Sequence, residues 1–115
     1  MVWSVRYTDE FADWWETLTE DEQEDVSACV NQLIDRGRPY VDSVNGSRHS
    51  NMKELRTQSG GNPLRTFFVF DPTRSAILLI GGNKRGDKRF YDRMVPIADD
   101  LYDEFLNELK REGNT

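Results

Sequence analysis

Two residue types on which small proteins often build reactive sites are nearly missing from this sequence, which has one cysteine, Cys29, and one histidine, His49. A single cysteine cannot close an internal disulfide, so nothing calls for an oxidising compartment. With neither a CxxC nor an HExxH pattern, the residues argue against a metal site. No GxGxxG or GxxxxGK loop is present to cradle a nucleotide phosphate, and Gly81-Gly82 alone says little. The N-terminal stretch Met1-Val2-Trp3-Ser4-Val5-Arg6 lacks the charged flank and continuous apolar region of a signal peptide. No apolar run approaches the ~20 residues that span a bilayer. The expectation is a cytoplasmic chain with no cofactor, no metal and no membrane partner.

Positive charge is scarce overall but not locally. The net charge is −6. Residues 1–35 carry ten acids and one base, residues 36–93 five acids and twelve bases, and residues 94–115 six acids and two bases. Binding is decided by the local field, because charges beyond about 8 Å are screened at physiological salt. The middle of the chain can therefore face a polyanion while its ends repel one. Alternatively, the basic and acidic segments neutralise each other within one fold. A length of 115 residues indicates a single domain, 1–115, that buries roughly two thirds of the surface its unfolded chain exposes.

The middle segment also holds the strand signals. Leu64–Phe70 and Ala76–Gly82 are short runs rich in Phe, Val and Ile. The turn chemistry of Asp71-Pro72-Thr73-Arg74 links them as a hairpin, and Gly60-Gly61-Asn62-Pro63 marks an earlier turn that follows Asn51–Arg56. Val2, Val5 and Tyr7 suggest a first strand. Phe11, Trp14, Trp15 and Leu18 share one face of a helix. Thr19 and Glu22 fit a capping box that opens a second helix with Val26, Cys29, Val30 and Leu33 on its apolar face and Gly37 as its stop. Arg38–Ser50 reads as a loop. A C-terminal helix starting near Pro96 would carry Ile97, Leu101, Phe105 and Leu109 inward. The order predicts an α+β fold: a small, mostly antiparallel sheet with two N-terminal helices and a C-terminal helix.

Alternation puts Arg65 on one strand face with Phe67 and Val69. Such an arginine either pairs with a carboxylate, Glu54 being suitably placed, or points into a cleft to take a phosphate bidentately. Lys84, Arg85, Lys88 and Arg89 leave the last strand together and run into Phe90-Tyr91. Cations interleaved with rings suit a single-stranded nucleic acid, whose phosphates and bases they can hold separately. His49, beside Arg48, has either acid–base capacity or a surface role. Glu20, Asp21, Glu24 and Asp25 form either a solvated helix face or a surface for a basic partner.

Taken in order, three segments resemble the RelE/ParE superfamily of bacterial type II toxins, and within it the HigB-like group. They are Gly46-Ser47-Arg48…Asn51-Met52-Lys53-Glu54-Leu55-Arg56, Leu64-Arg65-Thr66-Phe67-Phe68-Val69-Phe70-Asp71, and Ile77-Leu78-Leu79-Ile80-Gly81-Gly82-Asn83-Lys84-Arg85 followed by Phe90-Tyr91. The resemblance covers roughly residues 37–112. It implies a RelE-like toxin that cleaves mRNA on the ribosome and is silenced by a HigA-like helix-turn-helix antitoxin. By the same resemblance, Arg65, Lys84, Arg85 and Tyr91 surround the scissile phosphate, and Lys53 and Arg56 thinly represent the family's further basic residues; with Lys88 and Arg89 of the basic tail they would hold RNA. RNA supplies its own nucleophile, the 2′-oxygen, so the protein must orient the chain, move protons and stabilise charge. Arg65 and Arg85 would stabilise charge, Lys84 or Lys53 would carry a proton, and Tyr91 would stack on a base. RelE-like nucleases tend to be basic overall and this chain is acidic. Two alternatives therefore stay open: a ParE-like toxin that binds gyrase, and a non-catalytic partner of a DNA-binding repressor.

Overall fold

The computed structural model describes residues 4–36, 41–71 and 75–113. Val2, Trp3, the Gly37 stop and the Pro72–Arg74 part of the turn lie outside them. Within them, strand β1 (Ser4–Tyr7) leads into helices α1 (Asp9–Glu16) and α2 (Glu20–Arg36). Strands β2 (Val41–Ser43), β3 (Lys53–Ser59), β4 (Asn62–Phe70) and β5 (Ser75–Asn83) follow, and helix α3 (Phe90–Gly113) ends the chain. The sheet order is β1-β5-β4-β3-β2, antiparallel throughout except for β1 on β5. The expected α+β architecture is what forms.

Local chemistry fixes the helix starts. Thr8 Oγ1 accepts from the Phe11 N–H at 3.0 Å and donates to the Leu79 carbonyl at 2.6 Å, so one side chain both caps α1 and ties it to β5. The capping box before α2 is complete, with Thr19 N–H donating to Glu22 Oε1 at 2.9 Å and Glu22 N–H to Thr19 Oγ1 at 3.2 Å.

The two faces of the sheet bury separate cores. On one, α1 and α2 bring Phe11 and Leu33 onto Leu55, Phe68, Ala76 and Leu78. On the other, α3 lays Phe90, Met94, Ala98 and Leu101 over Phe67, Val69, Ile77 and Leu79. The strand pairing slips between Phe67 and Phe68, since Phe67 pairs with Ile80 but Phe68 with Leu78, leaving Leu79 as an extra residue in β5. Leu79 and Ile80 consequently both belong to the α3-side core, and the alternation of β5 is reversed beyond them. That reversal turns Gly81 toward Trp14 of α1 and Gly82 toward Phe90 of α3. It also delivers Lys84 to the α3 side.

Four expectations are corrected here. The Arg38–Ser50 stretch is not all loop: Val41–Ser43 pairs with β3 as a short edge strand. Three residues are too few to show a period. Helix α3 starts at Phe90 rather than near Pro96, because Asp87 caps it, accepting the Arg89 N–H at Oδ1 (3.1 Å) and the Phe90 N–H at its carbonyl (3.3 Å). Pro96 therefore sits in the second turn. The buried stripe begins at Met94 and Val95 and runs through Ala98, Leu101 and Tyr102, with Ile97 at its margin and 39% exposed. Finally, Cys29 is only partly buried, and its thiol lies 3.6 Å from the Arg56 carbonyl.

Candidate functional site

The centre of the site is a buried carboxylate. Glu54, on β3, is 3% exposed. Its Oε1 accepts from the Tyr91 hydroxyl at 3.0 Å and from Arg56 Nε at 3.3 Å, and lies 3.7 Å from Arg65 Nε. Three elements converge there: β3 with Glu54 and Arg56, β4 with Arg65, and the first turn of α3 with Tyr91. Arg56 and Arg65 are direct register partners across the antiparallel pair. Like charges in that position repel, and Glu54 is the group set between them. Arg56 reaches a second carboxylate, Asp42 on β2, at 2.6 Å. Arg65 Nε is buried without a hydrogen-bond partner, while its Nη1 donates to the Leu64 carbonyl at 3.0 Å. Of the two roles open to Arg65 from the sequence, the pairing with Glu54 is present, though longer than a hydrogen bond.

Above this cluster lies a cleft of about 560 Å³, within the roughly 300–1,000 Å³ of sites that hold small ligands. Lys84 and Tyr91 form one side and Ser43–Asn45 the other, with Glu54 and Arg56 between them. Lys84 Nζ stands 5.2 Å from the centre of the Tyr91 ring. Burial and then the hydrogen bond and charge of Glu54 raise the Tyr91 pKa above its ordinary value, against a smaller opposing effect of Arg65. The phenol is thus held protonated, as a donor. Arg56 binds its proton more tightly than an ordinary arginine, chiefly through its hydrogen bond to Glu54 and then the charges of Asp42 and Glu54.

The other expected site residues are dispersed. Lys53 alternates to the opposite sheet face from Glu54 and donates to Ser43 Oγ at 2.9 Å, so it does not reach the cluster. Arg85 turns toward Asn62, 3.5 Å away, and Lys88 and Arg89 are exposed on the turn before α3. His49 is not in the cleft; its Nε2 meets Asp103 Oδ1 at 2.8 Å. Of the acidic face on α2, Glu20, Asp21 and Glu24 are exposed, whereas Asp25 accepts from Ser59 Oγ at 2.6 Å and so helps hold α2 to the sheet. Sequence reasoning placed Glu54 only as a partner for Arg65 and missed Asp42 altogether. The signal for Glu54 was present: an acid two residues before an arginine, opposite the Phe67 strand.

Comparison with known proteins bears on the family and the fold. The profile of the phage-derived Gp49-like protein family matches residues 13–103. The chain is 44% identical over 98 residues to a Mycobacterium tuberculosis protein named as toxin HigB3, covering 81% of this chain and 84% of that one. It is 41% identical over 103 residues to one named as toxin HigB2 from the same organism, covering 84% of this chain but only 51% of the relative. Among solved structures, a free double-arginine mutant of the E. coli toxin RelE superposes with a TM-score of 0.60 at 10% identity, over 78% of this chain and 92% of that one. RelE from the archaeal RelE–RelB complex of Pyrococcus horikoshii gives 0.57 at 11% identity, over 75% and 99%. The structural matches speak to the fold, and the sequence matches to the family. The chain belongs to the phage-derived Gp49-like protein family, with the HigB toxins among its relatives, and it has a RelE-like fold.

Proposed function

We propose that this protein is the toxin of a type II toxin–antitoxin pair and a ribosome-dependent endoribonuclease that cuts mRNA. The observation that carries the proposal is the pair of arginines, Arg56 and Arg65, facing each other across β3 and β4 with one shared carboxylate. Two guanidinium groups in that position suit a phosphate, to which Arg56 Nη1 and Arg65 Nη2 would donate, the other nitrogens being engaged by Glu54, Asp42 and the Leu64 carbonyl or buried. The reaction forms a bond between the 2′-oxygen of one nucleotide and the adjacent phosphorus and breaks the bond from phosphorus to the 5′-oxygen. The products are a 2′,3′-cyclic phosphate and a 5′-hydroxyl. Glu54 accepts the 2′-proton, a role the contacts on its Oε1 leave to Oε2. Arg65 and Arg56 stabilise charge on the phosphorane, Lys84 holds the neighbouring phosphate, and the protonated Tyr91 donates to the leaving oxygen. Arg85, Lys88 and Arg89 guide flanking phosphates. No metal or cofactor enters this scheme.

A nuclease of this kind needs a silencing partner, for which we propose a HigA-like helix-turn-helix antitoxin. Its basic surface would meet Glu20, Asp21 and Glu24 on α2, with Asp25 at the edge, and electrostatic complementarity would speed association. Inducing the toxin without its partner, then following transcripts and DNA supercoiling, tests the function. Truncated mRNAs at an early time point are expected. Growth arrest with intact mRNA and damaged DNA would instead favour the gyrase-binding alternative.

A further inference from the structure

The cleft has one wall that leaves the sheet: Ser43 still pairs with Lys53 and the Val44 N–H still donates to the Met52 carbonyl at 3.1 Å, but Asn45 lies beyond these bonds. The chain runs out of β2 through Val44 and Asn45 into a turn at Gly46, whose φ is +85°, and enters β3 only at Lys53. This loop is fastened to α3. Asp99, 2% exposed on that helix, accepts from Ser47 Oγ with one carboxylate oxygen and from the Arg48 N–H at 3.0 Å with the other. Further along α3, Arg48 reaches Asp100 at 3.0 Å and also Asp103, which in turn meets His49 at 2.8 Å. Asn51 Nδ2 donates to the Tyr102 hydroxyl at 3.1 Å. The helix that carries Tyr91 on one side of the cleft thus also fixes the loop that forms the opposite side.

We infer that Asp99 is a positioning residue, which sets the loop so that Asn45 contacts the RNA base beside the scissile phosphate. The inference rests on the nuclease reading above. Asn45 is exposed at the cleft rim, and its amide carries both a donor and an acceptor for an unstacked base edge. Buried, doubly hydrogen-bonded Asp99 is the part of the fastening least open to solvent competition, whereas Arg48 is half exposed. A wall displaced by about 1 Å misaligns the attacking oxygen and can slow cleavage by about 100-fold.

The test is single-turnover cleavage of a defined mRNA on programmed ribosomes by the full chain. Asp99→Asn, which keeps the shape and removes the charge, should cut about 10- to 100-fold more slowly. Thr19→Ala, which weakens the fold at α2 away from the cleft, should cut normally and so control for stability. Asn45→Ala should also be slow, and Asp99→Asn/Asn45→Ala no slower than Asn45→Ala alone, because Asp99 acts through that wall. Normal cutting by Asp99→Asn, or losses that multiply in the double variant, would overturn the inference while leaving the nuclease reading intact. Cleavage that survives Arg65→Ala would overturn the site reading, and this inference with it.

Discussion

Glu54 has three partners and Arg65 has one carboxylate, and that asymmetry decides how each responds to truncation. Arg65→Ala leaves Glu54 with Arg56 at 3.3 Å and Tyr91 at 3.0 Å, so the carboxylate is not orphaned. Glu54→Ala leaves two arginines facing each other, one of them with a side chain only 11% exposed. Breaking a buried pair by removing one partner costs about 3–5 kcal/mol. We expect that loss for Glu54→Ala and a smaller one for Arg65→Ala, measured by urea unfolding. An equal loss in both would mean Arg56 and Tyr91 do not support Glu54. Tyr91 gives a second expectation. Its pKa is raised in the folded state, first by burial and then by Glu54, so the fold binds its proton more tightly than the unfolded chain does. The stability this contributes is complete below the unfolded value of about 10 and is lost as pH rises through the folded pKa. The absorbance difference between wild type and Tyr91→Phe should show a phenol titrating above about pH 10. Glu54→Gln should lower that midpoint.

At the scale of elements, the extra residue Leu79 governs which side chains of β5 face which helix. Beyond it, Gly81 lies so close to α1 that an added Cβ would stand 2.3 Å from the Trp14 ring. Gly81→Ala should therefore destabilise by about 1–3 kcal/mol, and Trp14→Leu in the same chain should recover part of it; a thermal melt showing no loss would contradict the packing. The bulge also explains what the sequence could and could not show. Alternation along β4 was legible, and it put Arg65 and Phe67 on one face correctly. Along β5 the same rule needs a break at Leu79, and nothing in Ile77-Leu78-Leu79-Ile80 marks one, since either face of a doubly covered strand is apolar. The capping box at Thr19–Glu22 was readable because it is local chemistry. The Asp87 cap of α3 was equally local but was obscured by Pro96, which suggested a later start. Strand β2 was invisible, being defined only by its partner β3, and Asp42 was missed with it.

For the whole molecule, part of the basic middle segment is neutralised within the fold and part is not. Arg48, Arg56, Arg65 and Arg93 are paired internally with acids. Lys84, Arg85, Lys88 and Arg89 pair with no carboxylate among the described residues. Four cations without a carboxylate partner thus follow one another at the end of β5 and on the turn before α3, with Lys84 lining the cleft, inside a chain of net charge −6. Single-stranded RNA releases counterions with a slope of about −0.7 per neutralised phosphate. Lys88→Ala/Arg89→Ala should reduce the slope of log affinity against log salt by about 1.4 if each cation neutralises one phosphate. An unchanged slope would place the RNA elsewhere. The same segregation explains why the acidic total did not exclude a polyanionic substrate: the acids of α1 and α2 cover the sheet face opposite Tyr91 and α3.

The most direct test of the central claim is the chemistry of the ends left on ribosome-bound mRNA by the purified toxin. Cuts bearing a 2′,3′-cyclic phosphate and a 5′-hydroxyl are expected from wild type and should be lost in both Arg65→Ala and Glu54→Gln. Intact mRNA, or ends of the same kind produced equally by those two variants, would contradict it.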